Sequence, residues 1–220
     1  MKNFIIDFLD WSEVWAPLIP LAILWMYKPR QKWVKPLAIY LIITLLINFI
    51  IDFLYHPYLE HKILETNYVF YVLNSLTRVI FFSWFFSYLH PFLKKLSRAI
   101  PFLFLIAAAL NFIFIGGINV FASKLMAFET ALLLVYCISW FNIKIRDENA
   151  GPLFVENAAW VVVGISFYAA VNFVLFLFYQ TLIESDSVFT YYMWYVHNIS
   201  FTVMCILIAV AFKKNEPTRI

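Results

Sequence analysis

Seven apolar stretches, each about as long as a helix that crosses a bilayer, follow one another along 220 residues with only short polar connections between them. A hydrocarbon core of roughly 30 Å needs about 20 helical residues to span it. Inside that core every backbone N–H and C=O must be satisfied within the protein, which leaves the helix as the spanning element for runs of this length. Composition agrees with lipid as the main solvent. Hydrophobic residues make up 64% of the chain and charged residues 13%, with a mean hydropathy of +0.83, whereas soluble domains carry about 25% charged residues. The expected fold is therefore all-α: a polytopic membrane protein built as a seven-transmembrane-helix bundle, with no room for a soluble domain.

The spans are expected over 13–27, 36–55, 67–89, 101–121, 125–143, 157–182 and 191–212. Residues 1–12 read as an interfacial segment, 13–212 as the transmembrane domain and 213–220 as a cytoplasmic tail. Asp7 and Asp10 interrupt the first apolar stretch, which lacks a small-residue cleavage site and so does not read as a signal peptide. Ser12 is the expected N-cap of the first span. Pro17 and Pro20 should kink that span where a neighbour satisfies the carbonyls they free. Pro36 and Pro101 suit first-turn positions, while Pro57, Pro91 and Pro152 should fall just outside helices. No internal repeat stands out, which weighs against a repeat-built transporter.

Lysine and arginine fix the orientation. Lys28, Arg30, Lys32, Lys35, Lys94, Lys95, Arg98, Lys144, Arg146, Lys213, Lys214 and Arg219 fall on one side of the membrane, and only Lys2, Lys62 and Lys124 on the other. The basic side is cytoplasmic by the positive-inside rule, which puts the N-terminus outside and the C-terminus in the cytoplasm. The same rule accounts for the formal charge of +3 without a nucleic-acid partner. The expected location is the cytoplasmic (inner) membrane.

Polar residues inside the spans are the candidates for function. Asn48 and Asp52 share a face of the second span, Asn74 and Arg78 a face of the third, and Tyr168 and Asn172 a face of the sixth, each pair four residues apart. Asn111 lies in the fourth span, Glu129 near the start of the fifth, and His197 with Asn198 in the outer part of the seventh. At about 1.5 Å of rise per residue, nearly all fall in the outer half of the bilayer. Arg78 is the sharpest of them, because a central arginine costs about 2.5–3.5 kcal/mol on insertion scales and so faces a partner in the bundle. Glu129 is the favoured counter-ion and Asp52 the other candidate. Three roles are compatible with such a pair: fixing helix register, facing a ligand, or relaying protons. The asparagines can equally serve as interhelical glue, although glue has no need to be confined to one depth.

Other features read structurally. Cys137 and Cys205 lie in apolar runs and are expected to pack. Gly164 with Tyr168 is a small-residue spacing that lets the sixth span approach a neighbour, and Gly116 with Gly117 should loosen the end of the fourth. His56, His61 and His90 lie in connections, so no metal site is expected. The last span, YYMWYVHNISFTVMCILIAVAF, has no lysine before Lys213, which excludes a rhodopsin-like retinal linkage. It offers a single histidine where ceramidase-like hydrolases need an aspartate and three histidines. No Ser-His-Asp set, P-loop or dinucleotide fingerprint appears. Accordingly no catalytic residue and no cofactor are expected.

The stretches YLIITLLINFIIDF, NYVFYVLNSLTRVIFFSWFF and ENAAWVVVGISFYAAVNFVLFLF, with a last span ending in AVAFKK, resemble small uncharacterised seven-helix membrane proteins of Bacteroidetes, some of which are thought to be encoded beside sensor histidine kinases. The resemblance covers most of the chain and implies a membrane sensor or accessory protein. It transfers no catalytic residue. The expected function is a receptor-like or accessory protein whose outward-facing polar pocket, lined by Asn48, Asp52, Asn74, Arg78, Asn111, Glu129, Asn172 and His197, takes a small ligand. Expected partners are the lipid bilayer, that ligand and a membrane protein such as a sensor kinase. The alternatives are an ion- or proton-coupled transporter using Arg78, Glu129 and His197, a lipid-modifying enzyme with Glu129 or His197 as base, and a structural subunit of a larger complex.

Overall fold

A computed structural model describes residues 6, 8–51, 68–116, 120–147, 152, 155–185 and 187–214. Every regular element among them is helical. Helix α1 covers Ser12–Tyr27, α2 Val34–Phe49, α3 Tyr68–Ser87, α4 Pro91–Asn111, α5 Ser123–Arg146, α6 Asn157–Ser185 and α7 Ser187–Lys213. The five from α3 to α7 are long and apolar enough to cross a membrane, and α1 and α2 are shorter apolar helices. An all-helical chain of this kind has the architecture of a multi-pass membrane protein.

Pairwise packing closes six helices into a ring: α1 on α2, α2 on α3, α3 on α5, α5 on α6, α6 on α7, and α7 back on α1. Helix α4 lies outside that ring against α3 and α5. Its apolar window is only 22% buried, against 44–56% for the other four long helices, so α4 presents most of its surface outward. Helices α6 and α7 approach closely at Gly164. A Cβ there would lie 3.1 Å from Leu207 Cβ and 3.3 Å from the Met204 carbonyl oxygen of α7, so the missing side chain is what lets the two backbones meet.

Aromatic side chains fill the half of the ring nearest the basic connections. Phe86 stacks on Tyr136 with centroids 4.7 Å apart, and Trp33 contacts both Phe85 and Phe212. Phe82, Phe85, Phe86 and Phe212 are fully buried, as are the thiols of Cys137 and Cys205 in all but 1% of their surface. The Tyr136 hydroxyl donates to Ser83 Oγ at 2.9 Å, which satisfies a polar group in this otherwise apolar region.

Several boundaries differ from those expected. Helix α4 starts at Pro91, ten residues before the expected 101, and carries Pro101 in its interior. Two local features start it early. His90 Nδ1 accepts the Phe92 N–H at 3.2 Å, and Pro91 occupies the first turn, where a missing N–H costs nothing. Lys94, Lys95 and Arg98 therefore stand on a helix rather than in a connection. Ser12 does not cap α1: Trp11 holds that position with no side-chain capping bond, and the Ser12 hydroxyl is buried with no hydrogen-bond partner among the described residues. Pro17 and Pro20 divide α1 at Ala16–Pro17 into two helical pieces, Ser12–Trp15 and Leu18–Tyr27. Beyond Asn111, α4 widens into a π-turn over Phe112–Gly116. Asp52, His56, Pro57 and His61 lie outside the described residues.

Candidate functional site

Pro17 has no N–H, so the Glu13 carbonyl four residues earlier loses its helical donor. Asn48 on α2 replaces it, donating from Nδ2 at 2.9 Å. The same Asn48 accepts from Asn74 Nδ2 at 2.7 Å through its Oδ1. Asn74 thus carries the connection onto α3, and one turn further along the same face stands Arg78.

Arg78 is 5% exposed and Glu129, in the second turn of α5, 1% exposed. Arg78 Nε lies 2.8 Å from Glu129 Oε1. A second arm of the guanidinium, Nη1, donates to the Tyr168 hydroxyl of α6, whose ring centroid lies 4.9 Å from the guanidinium carbon. The charge is therefore neutralised by one helix and hydrogen-bonded by another, the condition for a guanidinium to be tolerated away from water.

Tyr168 is also the start of the return path. Asn172, one turn on, donates through Nδ2 to the Tyr168 carbonyl at 2.8 Å and to Ser200 Oγ of α7 at 2.7 Å. Its Oδ1 lies 2.5 Å from His197 Nδ1, and His197 Nε2 lies 3.0 Å from Glu13 Oε1. The path ends where it began. Polar groups of α1, α2, α3, α5, α6 and α7 thus follow one another from the Glu13 carbonyl round to the Glu13 carboxylate, the steps from Asn74 to Arg78 and from the Tyr168 hydroxyl to Asn172 being made along a helix rather than by a side-chain hydrogen bond. A further tie, Asn198 Nδ2 to the Leu9 carbonyl at 3.0 Å, holds the residues before α1 against α7.

Burial grades along this network. The Glu129 side chain is 1% exposed and that of Glu13 17%, so the network meets the surface at Glu13 and ends in the interior at Arg78–Glu129. Aromatic rings cover it. Trp194 stacks on His197 with centroids 5.1 Å apart, Phe176 lies 5.5 Å from the same imidazole, and Tyr71 meets Trp194 edge-on at 5.3 Å. Among the described residues no three His, Cys, Asp or Glu side chains gather as a metal set. What the arrangement can do is hold hydrogen bonds and protons in a place screened from water.

Against protein-family models, curated proteins and solved structures, the chain finds no match.

Of the residues singled out in the sequence, Asn48, Asn74, Arg78, Glu129, Asn172 and His197 meet in the network. Asn111 is buried on α4, outside the ring, and no described hydrogen bond joins it to the others. Asp52 lies outside the described residues. The sequence reading missed Glu13, which it placed at the start of a span without a role, and Ser200. Tyr168, expected only to share a face with Asn172, also brings its phenol into the site. The available signal was Pro17 four residues after Glu13, since an orphaned carbonyl in a span demands a donor from a neighbour. A separate cleft of about 360 Å³ opens at the opposite end of α5, where Lys144 and Arg146 line it beside His90. There Lys144 pairs with Glu156 at 2.5 Å.

Proposed function

We propose that this chain is a small receptor-like integral membrane protein of seven transmembrane helices, with its N-terminus outside and its C-terminus cytoplasmic, in the inner membrane. The polar network is where a small polar ligand acts. The change it causes passes through the helices to a membrane partner, such as a sensor kinase, at the basic ends carrying Lys94, Lys95, Arg98, Lys144 and Arg146. One observation carries the reading: the network is confined to one half of the helix ring and reaches the surface at Glu13, while the other half is packed aromatic core. A ligand that exchanges one of these hydrogen bonds shifts helices against one another, because most bonds in the network join two different helices.

Ion- or proton-coupled transport is the second reading, favoured by the run of polar groups from Glu13 towards Arg78–Glu129. It is weakened by the interior beyond that pair, where the Tyr136–Ser83 pair, the Tyr40 hydroxyl and the Cys137 thiol are neutral buried polar groups set among Phe82, Phe85, Phe86 and Trp140. A path needs polar groups on both sides of its central charge.

The test uses full-length protein in nanodiscs, melted in the presence of a panel of polar small molecules. A compound that raises the melting midpoint of the wild type saturably should act at least about tenfold more weakly on Tyr168→Phe, a loss of about 1.4 kcal/mol. That variant removes the Arg78 acceptor and leaves Glu129 paired. Stabilisation equal in both proteins takes the network out of the site. Proton flux into dye-loaded proteoliposomes that disappears with Glu129→Gln would replace the receptor reading with transport.

A further inference from the structure

The chemistry of one amide fixes where a proton must sit. The Tyr168 carbonyl can only accept, so the Asn172 nitrogen faces it, and the Asn172 oxygen is the atom turned to His197. That oxygen also only accepts, so His197 Nδ1 carries a hydrogen. In a neutral imidazole the other nitrogen is then a bare lone pair. Yet Nε2 lies 3.0 Å from Glu13 Oε1, which is itself an acceptor when Glu13 is ionised. Two acceptors do not hold that separation without a hydrogen between them.

We infer that the Glu13–His197 contact is a proton-binding site: it holds one proton more than an ionised Glu13 and a neutral His197 do when apart, and that proton fastens α1 to α7. The proton resides on either partner, as imidazolium facing carboxylate or as imidazole facing carboxylic acid, and the count is the same. Among the described residues, the titratable groups facing His197 are Glu13 from α1, Tyr168 from α6 with its ring centroid 5.8 Å away, beyond that phenol the Arg78–Glu129 pair of α3 and α5, and, behind Trp194, Tyr71 of α3. Trp194 and Phe176 close the remaining sides with apolar rings. Asp10 precedes Glu13 by one turn. Glu13 is the partly exposed member, so the proton exchanges with water at the rim. Acid outside loads the site. Rising pH removes the proton, sets two lone pairs against each other and frees the Glu13 side chain, while the Asn48 and Asn198 ties to α1 and its preceding residues do not titrate.

The inference rests on the receptor reading in one respect, which it extends by naming the proton as a stimulus acting on the same network. The proton count does not depend on it. Full-length protein in nanodiscs, with ¹⁵N-histidine and ¹³C-glutamate labels, reports by solid-state NMR both the protonation of His197 and Glu13 and, through their dipolar coupling, whether they touch. The expected result is one shared proton wherever the coupling is present, and a touching-to-separate ratio that falls about tenfold per pH unit above the midpoint, the slope of a single proton. A coupled pair with bare Nε2 and ionised Glu13 overturns the inference. Glu13→Gln supplies a second test, because its amide donates to neutral Nε2 and needs no added proton. Contact in this variant should persist at pH values where the wild type has separated, and loss at the same pH in both proteins would end the case. A one-proton titration in a protein that gives no response through any partner supports the site and retires the receptor.

Discussion

Asn48 donates to the Glu13 carbonyl at 2.9 Å, the oxygen that Pro17 deprives of its helical donor. Two helices are thereby joined by a bond that exists because a third residue lacks a hydrogen. Such a replacement is worth about 0.6–2 kcal/mol in membrane bundles. Asn48→Ala should lower unfolding stability by about that much. In a Pro17→Ala background, which restores an N–H at position 17, the same change should cost less. A double-mutant cycle on detergent-solubilised protein measures the coupling, and strict additivity would show that Asn48 does not serve the orphaned carbonyl.

Arg78 and Glu129 should behave as a unit. Removing one partner leaves a buried charge alone, at a cost of about 3–5 kcal/mol, whereas removing both together can be nearly neutral. Arg78→Leu and Glu129→Leu are each expected to reduce the yield of monodisperse protein sharply, and the double substitution to recover most of it. Chromatographic profiles of the three variants decide this. A double variant worse than either single one would mean that the pair is not isolated from water.

Gly164 should accept a side chain only at a cost, because α7 would have to give way by a few tenths of an ångström. The atoms a Cβ would meet, Leu207 Cβ at 3.1 Å and the Met204 carbonyl oxygen at 3.3 Å, are rooted in the α7 backbone and cannot swing aside. Gly164→Ala is expected to lower stability by about 1–3 kcal/mol and Gly164→Val by more, measured as thermal unfolding midpoints. An unchanged midpoint in the alanine variant would place α6 and α7 further apart than described.

The proposed orientation is accessible to labelling. Lys94 and Lys124 are both exposed, near the starts of α4 and α5, while the native thiols of Cys137 and Cys205 are buried. A membrane-impermeant maleimide added to intact cells should therefore modify Lys124→Cys and leave Lys94→Cys untouched until the membrane is opened. The reverse pattern inverts the topology.

Sequence alone determined the solvent of this chain and the run of its helices, because a spanning segment declares itself by local composition and needs no partner to be recognised. It also marked Arg78 as a group that must look inward, since the cost of a charge in hydrocarbon depends on depth more than on neighbours. Local features hidden from the apolar count moved some boundaries: the start of α4 belongs to a histidine cap and a first-turn proline, ten residues upstream of where hydropathy begins it. The identity of the contacts was decided only by the tertiary structure. Glu13 and His197 stand 184 positions apart, and nothing in either segment selects the other. They meet because α7 closes the ring against α1, and hydrogen bonding, being directional and short-ranged, is settled only when two surfaces have come together.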